Sequence, residues 1–220
     1  MKNWIRLFHN KELELLTEFC EINPKNNLSK KESNQRIEES LIEITYSEGQ
    51  HKGNGILISE NGLFLTAGHC IDKMLYNQKV RISNVGLYSL EKVCIKDEIN
   101  DLILAKIKIN QRYSIKRYNI HNSEEIEKMP IQLITRREGI LNRKYGFILG
   151  DWNPYEDVNG NKYVDNFCIN GILIPGDSGG VILSPCSELI GLAEGTNKII
   201  GNGIKSKKMI DLILKYLKEF

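Results

Sequence analysis

A serine near the end of the chain lies in a glycine-rich segment, "PGDSGG", at residues 175–180. Glycines let the main chain turn sharply and approach other groups closely. Taken alone, such a segment is typical of a tight surface turn between two strands. The alternative is that Ser178 is a nucleophile, and this requires a base, because a serine hydroxyl is a poor nucleophile at neutral pH.

One of the four histidines is the best candidate for that base. His69 ends the segment "LFLTAGHC", directly after an apolar run, where Ala67 and Gly68 allow the chain to turn. A lone histidine in such a place is more often structural than catalytic. The remaining histidines lie in polar surroundings and are predicted to be solvated: His9, His51 and His121.

A general base needs a third group that holds its tautomer and stabilises the imidazolium. Between His69 and Ser178 the best candidate is Asp101 in "NDLILAKI", where a polar pair precedes a strongly apolar strand. The alternative role for this aspartate is to cap the start of the strand. The combination and order of the three residues favour nucleophilic catalysis over three unrelated structural roles.

Short strands must position these three residues. The segment "LIEITY" (41–46) opens a β-rich region, and "GILISENGLFLT" (55–66) is typical of two strands joined through Asn61-Gly62. Further strand-like runs are "KVRISNV", "EKVCIKD", "DLILAKIKI", "IQLIT", "YGFILG", "KYVDNFCI", "GVILS" and "ELIGLAE". Their short, regular spacing predicts an all-β domain built as antiparallel barrels or a sandwich.

Helices are predicted only at the two ends. Residues 10–20 have helical periodicity, whereas the polar segment "NPKNNLSKKESNQR" (23–36) is predicted to be a linker or a loosely held arm. We therefore assign residues 1–40 to an N-terminal helical extension with a linker, and residues 41–220 to the domain. The segment "SKKMIDLILKYLKEF" predicts a closing amphipathic helix whose inward residues are Met209, Leu212, Ile213, Tyr216 and Leu217.

Composition excludes several classes of protein. A formal net charge of +2 over 220 residues gives no basis for binding nucleic acid or a membrane, and no apolar run approaches a membrane span. The first twenty residues lack a signal-peptide pattern, so we expect a cytoplasmic protein, with export by a non-classical route left open. Five scattered cysteines without a C-x-x-C pair predict reduced thiols, no structural zinc, and no cofactor.

The blocks "TAGHC", "NDLILAKI" and "PGDSGG" resemble the three signature blocks of trypsin-like serine proteases. The resemblance covers the chain from about Leu41 to its end. It implies the chymotrypsin fold, with two six-stranded antiparallel β-barrels and a site in the cleft between them. It also implies a serine endopeptidase that acts on protein or peptide substrates through an acyl-enzyme intermediate.

The resemblance assigns a role to each residue of the site. Ser178 is the nucleophile, His69 the general base and then acid, and Asp101 the orienting carboxylate. The backbone N–H groups of Gly176 and Ser178 are the oxyanion hole, which stabilises the negative charge that develops on the attacked carbonyl.

Two longer segments are similar to one branch of this family, the intracellular and bacterial high-temperature-requirement (HtrA) proteases. They are "SLIEITYSEGQHKGNGILISENGLFLTAGH" and "GNGIKSKKMIDLILKYL". The chain ends at Phe220, so we expect no PDZ domain. The strand "KGNGILIS" offers Cys70 no disulfide partner of the kind found in secreted relatives, so Cys70 is expected to be a free thiol.

The activating start of the digestive relatives is missing. In those proteases a freed Ile-Val-Gly-Gly terminus pairs with the aspartate before the nucleophile, here Asp177. Cleavage after Arg36 would free Ile37 without the two glycines. We expect instead that another donor holds Asp177, or that the site is already formed in the intact chain. Residues 1–40 are expected to pack on the barrels; covering the cleft and binding a regulatory partner are the alternatives.

Distance along the chain from Ser178 predicts the substrate pocket. Ile172 would form its floor, and "GLAEGTN" its opposite wall, with Thr196 narrowing the entrance. An apolar floor predicts cleavage after small or medium apolar residues, because a buried ammonium without a partner is strongly disfavoured. If the carboxylate of Glu194 lies inside the pocket, lysine or arginine becomes the alternative.

Two other functions share some of these motifs. A non-catalytic, protease-like binding module would have the same fold, but such proteins usually lose at least one of the three residues. An α/β-hydrolase contains Gly-x-Ser-x-Gly, yet its histidine follows the serine. No histidine follows Ser178, which excludes the α/β-hydrolase.

Overall fold

The structure is a computed structural model that describes residues 29–72, 78–82, 86–109, 120–121, 126–151, 155–156, 162–163, 166–170, 173–196 and 200–218. Its helices are α1 (Lys30–Ser40) and α2 (Ser206–Lys218), and a 3-10 turn covers Gly68–Cys70. The predicted helix over residues 10–20 lies outside the described residues. The strands are β1 (Leu41–Tyr46), β2 (His51–Leu57), β3 (Leu63–Ala67), β4 (Gln78–Ile82), β5 (Gly86–Asp97), β6 (Leu102–Ile107), β7 (Pro130–Arg137), β8 (Ile140–Asp151), β9 (Tyr155–Glu156), β10 (Lys162–Tyr163), β11 (Asn166–Asn170), β12 (Val181–Leu183), β13 (Leu189–Thr196) and β14 (Ile200–Lys205).

Twelve of these strands close into two antiparallel barrels. Barrel one has the strand order β1-β2-β3-β6-β5-β4, and barrel two has the order β11-β14-β13-β12-β7-β8. Strands β9 and β10 pair separately. The all-β prediction is therefore confirmed, and the two closed six-stranded barrels with a helix at each end are those of the chymotrypsin fold.

Three groups of buried side chains hold the barrels and helices together. The interior of barrel one is packed around Phe64, and that of barrel two around Phe167. A third group joins the two barrels and contains residues from β2, β6, β12 and both helices. Ile37 of α1 and Ile213 of α2 are fully buried in this group, so both helices are part of the packed body. Burial of this kind is the main favourable contribution to folding.

The predicted linker is wrong over its described part, because residues from Lys30 onward form α1. Ser29 and Glu32 make a capping box, in which the Ser29 hydroxyl accepts from the N–H of Glu32 and the Glu32 carboxylate accepts from the N–H of Ser29. The helix is then fixed by burial of Ile37 and by a 2.5 Å hydrogen bond from the Ser33 hydroxyl to the Ser187 carbonyl. Ile37 is the single apolar residue of α1, and one apolar residue is too weak a pattern to predict a helix.

Other local predictions are confirmed. Strands β2 and β3 pair as an antiparallel hairpin, and the predicted "LIEITY" strand matches β1. The closing helix α2 buries Met209, Leu212, Ile213 and Tyr216, and partly buries Leu217. The run "KYVDNFCI" is divided between β10 and β11. Within the described ranges, neither helix combines the length and apolar character needed to cross a membrane.

Candidate active site

His69 and Asp101 lie side by side because each borders one of two paired strands. β3 ends at Ala67 and β6 begins at Leu102, and these two residues face each other in the antiparallel ladder. The N–H of Gly68 then donates to the carbonyl of Asp101 at 2.5 Å. Residue 68 has no room for a side chain, because a Cβ atom there would lie 2.5 Å from Oδ1 of Asp101.

The Asp101 carboxylate orients the imidazole of His69. Nδ1 of His69 lies 2.5 Å from Oδ2 of Asp101, so a proton on Nδ1 is donated to the carboxylate and Nε2 is left as the basic nitrogen. The side chain of His69 is 51% exposed, and that of Asp101 only 19%. Partial burial disfavours the imidazolium, but the hydrogen bonds to Asp101 and Cys70 outweigh it and raise the pKa of His69 above 6.5.

Ser178 lies on the turn before β12, and the backbone of this turn is held from two sides. The Ser178 carbonyl accepts from the N–H of Asn54 at 2.7 Å, and the N–H of Gly179 donates to the Ala193 carbonyl at 2.7 Å. A side chain at residue 179 is excluded, because its φ is +76° and a Cβ atom would lie 1.8 Å from the Asn54 carbonyl oxygen. Ser178 is half-buried, and its hydroxyl has no hydrogen-bond partner among the described residues.

Two N–H groups on the same turn are without an acceptor. Within the part of the chain that the structure describes, neither Gly176 nor Ser178 donates its N–H, whereas the N–H of Asp177 between them donates to the Ile174 carbonyl at 3.0 Å. Two free, closely spaced N–H groups can stabilise negative charge that develops on a bound oxygen. The pair is therefore a candidate for the oxyanion hole that the resemblance implies.

The direction of each free N–H is fixed through the carbonyl of the same planar peptide unit. The Pro175 carbonyl, whose peptide carries the Gly176 N–H, accepts from the Arg137 guanidinium at 2.9 Å. The Asp177 carbonyl, whose peptide carries the Ser178 N–H, accepts from the N–H three residues further along at 2.9 Å. The two donors are therefore oriented before any ligand binds.

Two residues of barrel one hold the peptide between Gly176 and Asp177, which lies between the two free N–H groups. The Gly176 carbonyl lies 2.7 Å from Nε2 of His51 and accepts from Nδ2 of Asn54 at 3.0 Å. The Asn54 side chain also accepts from the N–H of Arg136 in β7 at 2.6 Å, through its Oδ1. Asn54 is fully buried, so it links the strand β2 of barrel one to both the turn and a strand of barrel two.

The prediction that His51 is solvated is wrong. Its side chain is only 6% exposed, and its Nδ1 lies 2.9 Å from the carboxylate of Glu43, which is 1% exposed. That carboxylate also accepts from the N–H groups of Glu138 at 2.6 Å and Gly139 at 3.0 Å, at the tip of the β7–β8 hairpin. Burial opposes ionisation of Glu43, but the hydrogen bonds from His51 and the hairpin hold its pKa below the ordinary value.

Asp177 is held by a lysine. Nζ of Lys144 in β8 lies 2.5 Å from Oδ2 of Asp177, and the N–H of Ile174 donates to the same oxygen at 2.9 Å. Asp177 is 6% exposed, so this pairing compensates an otherwise costly buried charge. The expectation of another donor is therefore met by Lys144, and Ile37, the terminus that cleavage would free, is buried within α1.

Of the three residues predicted to line the substrate pocket, only Glu194 has a described side chain. Its Oε2 accepts from Nδ2 of Asn166 in β11 at 2.7 Å. Ile172 lies outside the described residues, and so does the side chain of Thr196 at the end of β13. The pocket roles of Ile172 and Thr196 stay predictions.

His121 and the free thiol Cys70 complete the account of the histidines and cysteines near the site. His121 was predicted to be solvated, but its side chain is 16% exposed and its Nδ1 lies 2.7 Å from the Glu188 carboxylate. His9 lies outside the described residues. Cys70 is a buried free thiol. In the described ranges, no group of His, Cys, Asp and Glu side chains is arranged to hold a metal ion.

The sequence predicts the three central residues of the candidate site but not the residues that hold the turn. Asn54 sits between two glycines in a strand that is otherwise buried, and a buried amide side chain must find hydrogen-bond partners. The pattern "GNG" within an apolar strand could have indicated it. Lys144 and Arg137 gave no such signal, because lysine and arginine in a strand most often face solvent.

Solved structures that share this fold include a protease domain. The protease domain of MamO from Magnetospirillum magneticum, in its apo form, aligns with a TM-score of 0.70 and 13% identity, over 81% of this chain and 97% of that one. Deg5 aligns with a TM-score of 0.67 and 19% identity, over 83% of this chain and 92% of that one. No family model matches the chain, and no curated protein matches it. These similarities show the trypsin-like protease fold.

Proposed function

We propose that this protein is a serine endopeptidase that hydrolyses peptide bonds through an acyl-enzyme intermediate. The observation that carries the proposal is the pair of free N–H groups at Gly176 and Ser178, each fixed through the carbonyl of its own peptide. A turn without a catalytic role has no need of two oriented donors beside a serine hydroxyl. The His69–Asp101 pair supports the same conclusion.

The proposed reaction begins with attack of the Ser178 hydroxyl on the substrate carbonyl. His69 takes the hydroxyl proton through Nε2 and Asp101 stabilises the imidazolium, while the two N–H groups stabilise the tetrahedral oxyanion. His69 then gives the proton to the leaving amine, and the acyl group remains on Ser178. Water, deprotonated by His69, attacks the ester in the second half of the reaction and releases the acid.

Labelling by a fluorophosphonate probe tests this function directly. The probe reacts with a serine only where a base and an oxyanion site activate it, so we expect stoichiometric labelling of Ser178 in the wild-type chain. The Ser178→Ala variant should remain unlabelled. Ser89→Ala, which changes an exposed serine in β5, is the matched control and should be labelled fully. Absence of labelling in the folded wild type would favour a non-catalytic binding module.

Within this function we propose cleavage after small or medium apolar residues such as alanine, valine or leucine. The Glu194 carboxylate already accepts a hydrogen bond from Asn166, which supports a pocket for an apolar side chain over a pocket for lysine or arginine. An apolar side chain gains about 25 cal/mol for each Å² removed from water. A peptide library digested by the active chain and analysed by mass spectrometry should show these residues before the cut. A dominant lysine or arginine would contradict the proposal.

A further inference from the structure

The ring of His51 lies between two groups that can only accept hydrogen bonds. Its Nε2 lies 2.7 Å from the Gly176 carbonyl oxygen, and its Nδ1 lies 2.9 Å from Oε1 of Glu43. Both oxygens of that carboxylate are already acceptors, Oε1 from the N–H of Glu138 and Oε2 from the N–H of Gly139. Neither of these oxygens therefore has a proton to donate to the ring.

Only one protonation state of an imidazole can make both contacts. A neutral imidazole has one N–H donor and one lone pair, whereas the imidazolium has an N–H on each nitrogen. A neutral His51 would direct its lone pair at either the Gly176 carbonyl or the Glu43 carboxylate, and two acceptors that face each other repel. The arrangement of the two oxygens around the ring therefore fits the imidazolium form of His51.

Three arginines lie near this histidine and its carboxylate. Nε of Arg81 in β4 lies 3.7 Å from Oε2 of Glu43, and Arg136 of β7 is within electrostatic reach of the same carboxylate. A Cβ atom on the glycine that the ring contacts would lie 2.5 Å from Nη2 of Arg137 and 2.9 Å from Cδ2 of the ring itself. Positive neighbours disfavour a further positive charge, so the imidazolium depends on the Glu43 carboxylate.

We propose that His51 is a positioning residue of the oxyanion hole that works as an imidazolium, with the Glu43 carboxylate as its counter-charge. This inference rests on the proposed function. Of the two hydrogen bonds of the ring, the one donated to the carboxylate is the stronger. Loss of one ring proton therefore removes the contact to Gly176, and among the described residues Asn54 is then the remaining side-chain donor to that carbonyl.

Two substitutions of His51 separate its two contacts. The amide nitrogen of glutamine can replace Nε2 and keep the donor to Gly176, whereas that of asparagine can replace Nδ1 and keep only the donor to Glu43. We expect His51→Asn to lower kcat about tenfold with KM nearly unchanged, and His51→Gln to retain most of the wild-type kcat. The loss is smaller than the roughly 10²–10³-fold loss that follows removal of an oxyanion donor, because Asn54 still holds the carbonyl.

The pH profile of kcat gives a second comparison. In the wild type the donor at Nε2 is lost as the pH rises, so kcat should fall on the alkaline side. The glutamine amide does not titrate, so this part of the fall should be absent from His51→Gln. The matched control is His121→Gln, because His121 pairs with the Glu188 carboxylate instead of the turn, and it should keep the wild-type profile. Equal losses of kcat in His51→Asn and His51→Gln would overturn the inference.

The protonation state of His51 can also be measured without turnover, by NMR of the ¹⁵N-labelled ring assigned through the backbone resonances. We expect both ring nitrogens to carry a proton at neutral pH in the wild type, and one of them to have lost it in Glu43→Gln. A wild-type ring with one unprotonated nitrogen would overturn the inference, whether or not Ser178 reacts with the fluorophosphonate probe. A doubly protonated ring in a chain that hydrolyses nothing would contradict the proposed function and still support the pairing of His51 with Glu43.

Discussion

Barrel one positions His69 and Asp101 differently from the way barrel two positions Ser178. The first two residues border β3 and β6, and the ladder between Ala67 and Leu102 places them together with no help from the other barrel. Ser178 stands on a turn whose carbonyl groups are held by side chains from both barrels. Those side chains are His51 and Asn54 of β2 and Arg137 of β7, and Lys144 of β8 holds the adjacent Asp177.

The difference shows that the two parts of the site depend on different physical causes. Strand pairing alone brings His69 and Asp101 together, and strand pairing follows from local apolar patterns. The nucleophile's turn depends on buried polar groups, which stabilise the structure only while every partner is present. We therefore expect substitutions around the turn to lower both stability and activity, and substitutions of His69 or Asp101 to lower activity alone.

The largest effect is expected at the centre of the site, where the two parts act as one unit. Ser178→Ala and His69→Ala should each lower kcat by roughly 10⁴ or more, and the double variant should lose little beyond either single one. Steady-state hydrolysis of a peptide substrate measures kcat of the two single variants and of the double variant. Losses that multiply in the double variant would show that the two residues do not share one reaction.

Asn54→Leu should break the link between the barrels. The Gly176 carbonyl loses one donor and the N–H of Arg136 loses its acceptor. Unsatisfied buried groups cost about 1–3 kcal/mol each, so urea titration should show a loss of roughly 2–4 kcal/mol. The folded fraction should also have a kcat lower by roughly 10². The control Asn142→Leu, at an exposed asparagine of β8, should change neither the free energy of unfolding nor kcat. Full activity in folded Asn54→Leu would show that the turn is held without Asn54.

Lys144→Met should leave the Asp177 carboxylate without its countercharge. Breaking a buried ion pair costs about 3–5 kcal/mol, and we expect roughly 2–3 here because the Lys144 side chain is 26% exposed. Lys144→Arg should restore most of this loss, and Lys128→Met, at a lysine 88% exposed, should cost little. Urea titration measures the free energy of unfolding of the three variants. Equal stability of Lys144→Met and Lys128→Met would mean that Asp177 has another source of compensation.

The smallest effect is expected far from the turn, at the start of α1. Ser29→Ala removes the capping oxygen and should lower the free energy of unfolding by about 1 kcal/mol. Ser29→Asp should retain stability, because aspartate caps as well as serine. Thermal unfolding followed by circular dichroism measures both. A fall in kcat of Ser29→Ala would contradict the expectation that the start of α1 does not affect catalysis.

The same division explains what could be predicted from the sequence. His69 follows an apolar run, Asp101 precedes one and Ser178 lies in a glycine-rich turn, so each was predicted from a signal contained within ten residues, and their catalytic roles stay predictions. His51 was misjudged because its neighbours in sequence are polar, whereas its partners in space are Glu43 and Gly176. The donor to Asp177 could be expected as a class but not identified, since Lys144 is 33 residues away and nothing in its local pattern marks it. Polar contacts between distant segments leave no periodic trace.

Asn54 and Gly176 are 122 residues apart in the chain, and this separation has a consequence for the order of events during synthesis. All six strands of barrel one are complete by Ile107, so barrel one can fold while the segment that contains Ser178 has yet to be made. The oriented N–H pair exists only after barrel two has folded and docked. Under the proposed mechanism, a nascent or half-folded chain would therefore have His69 and Asp101 in place without an oriented Ser178, and would not cleave the unfolded chains beside it on the ribosome.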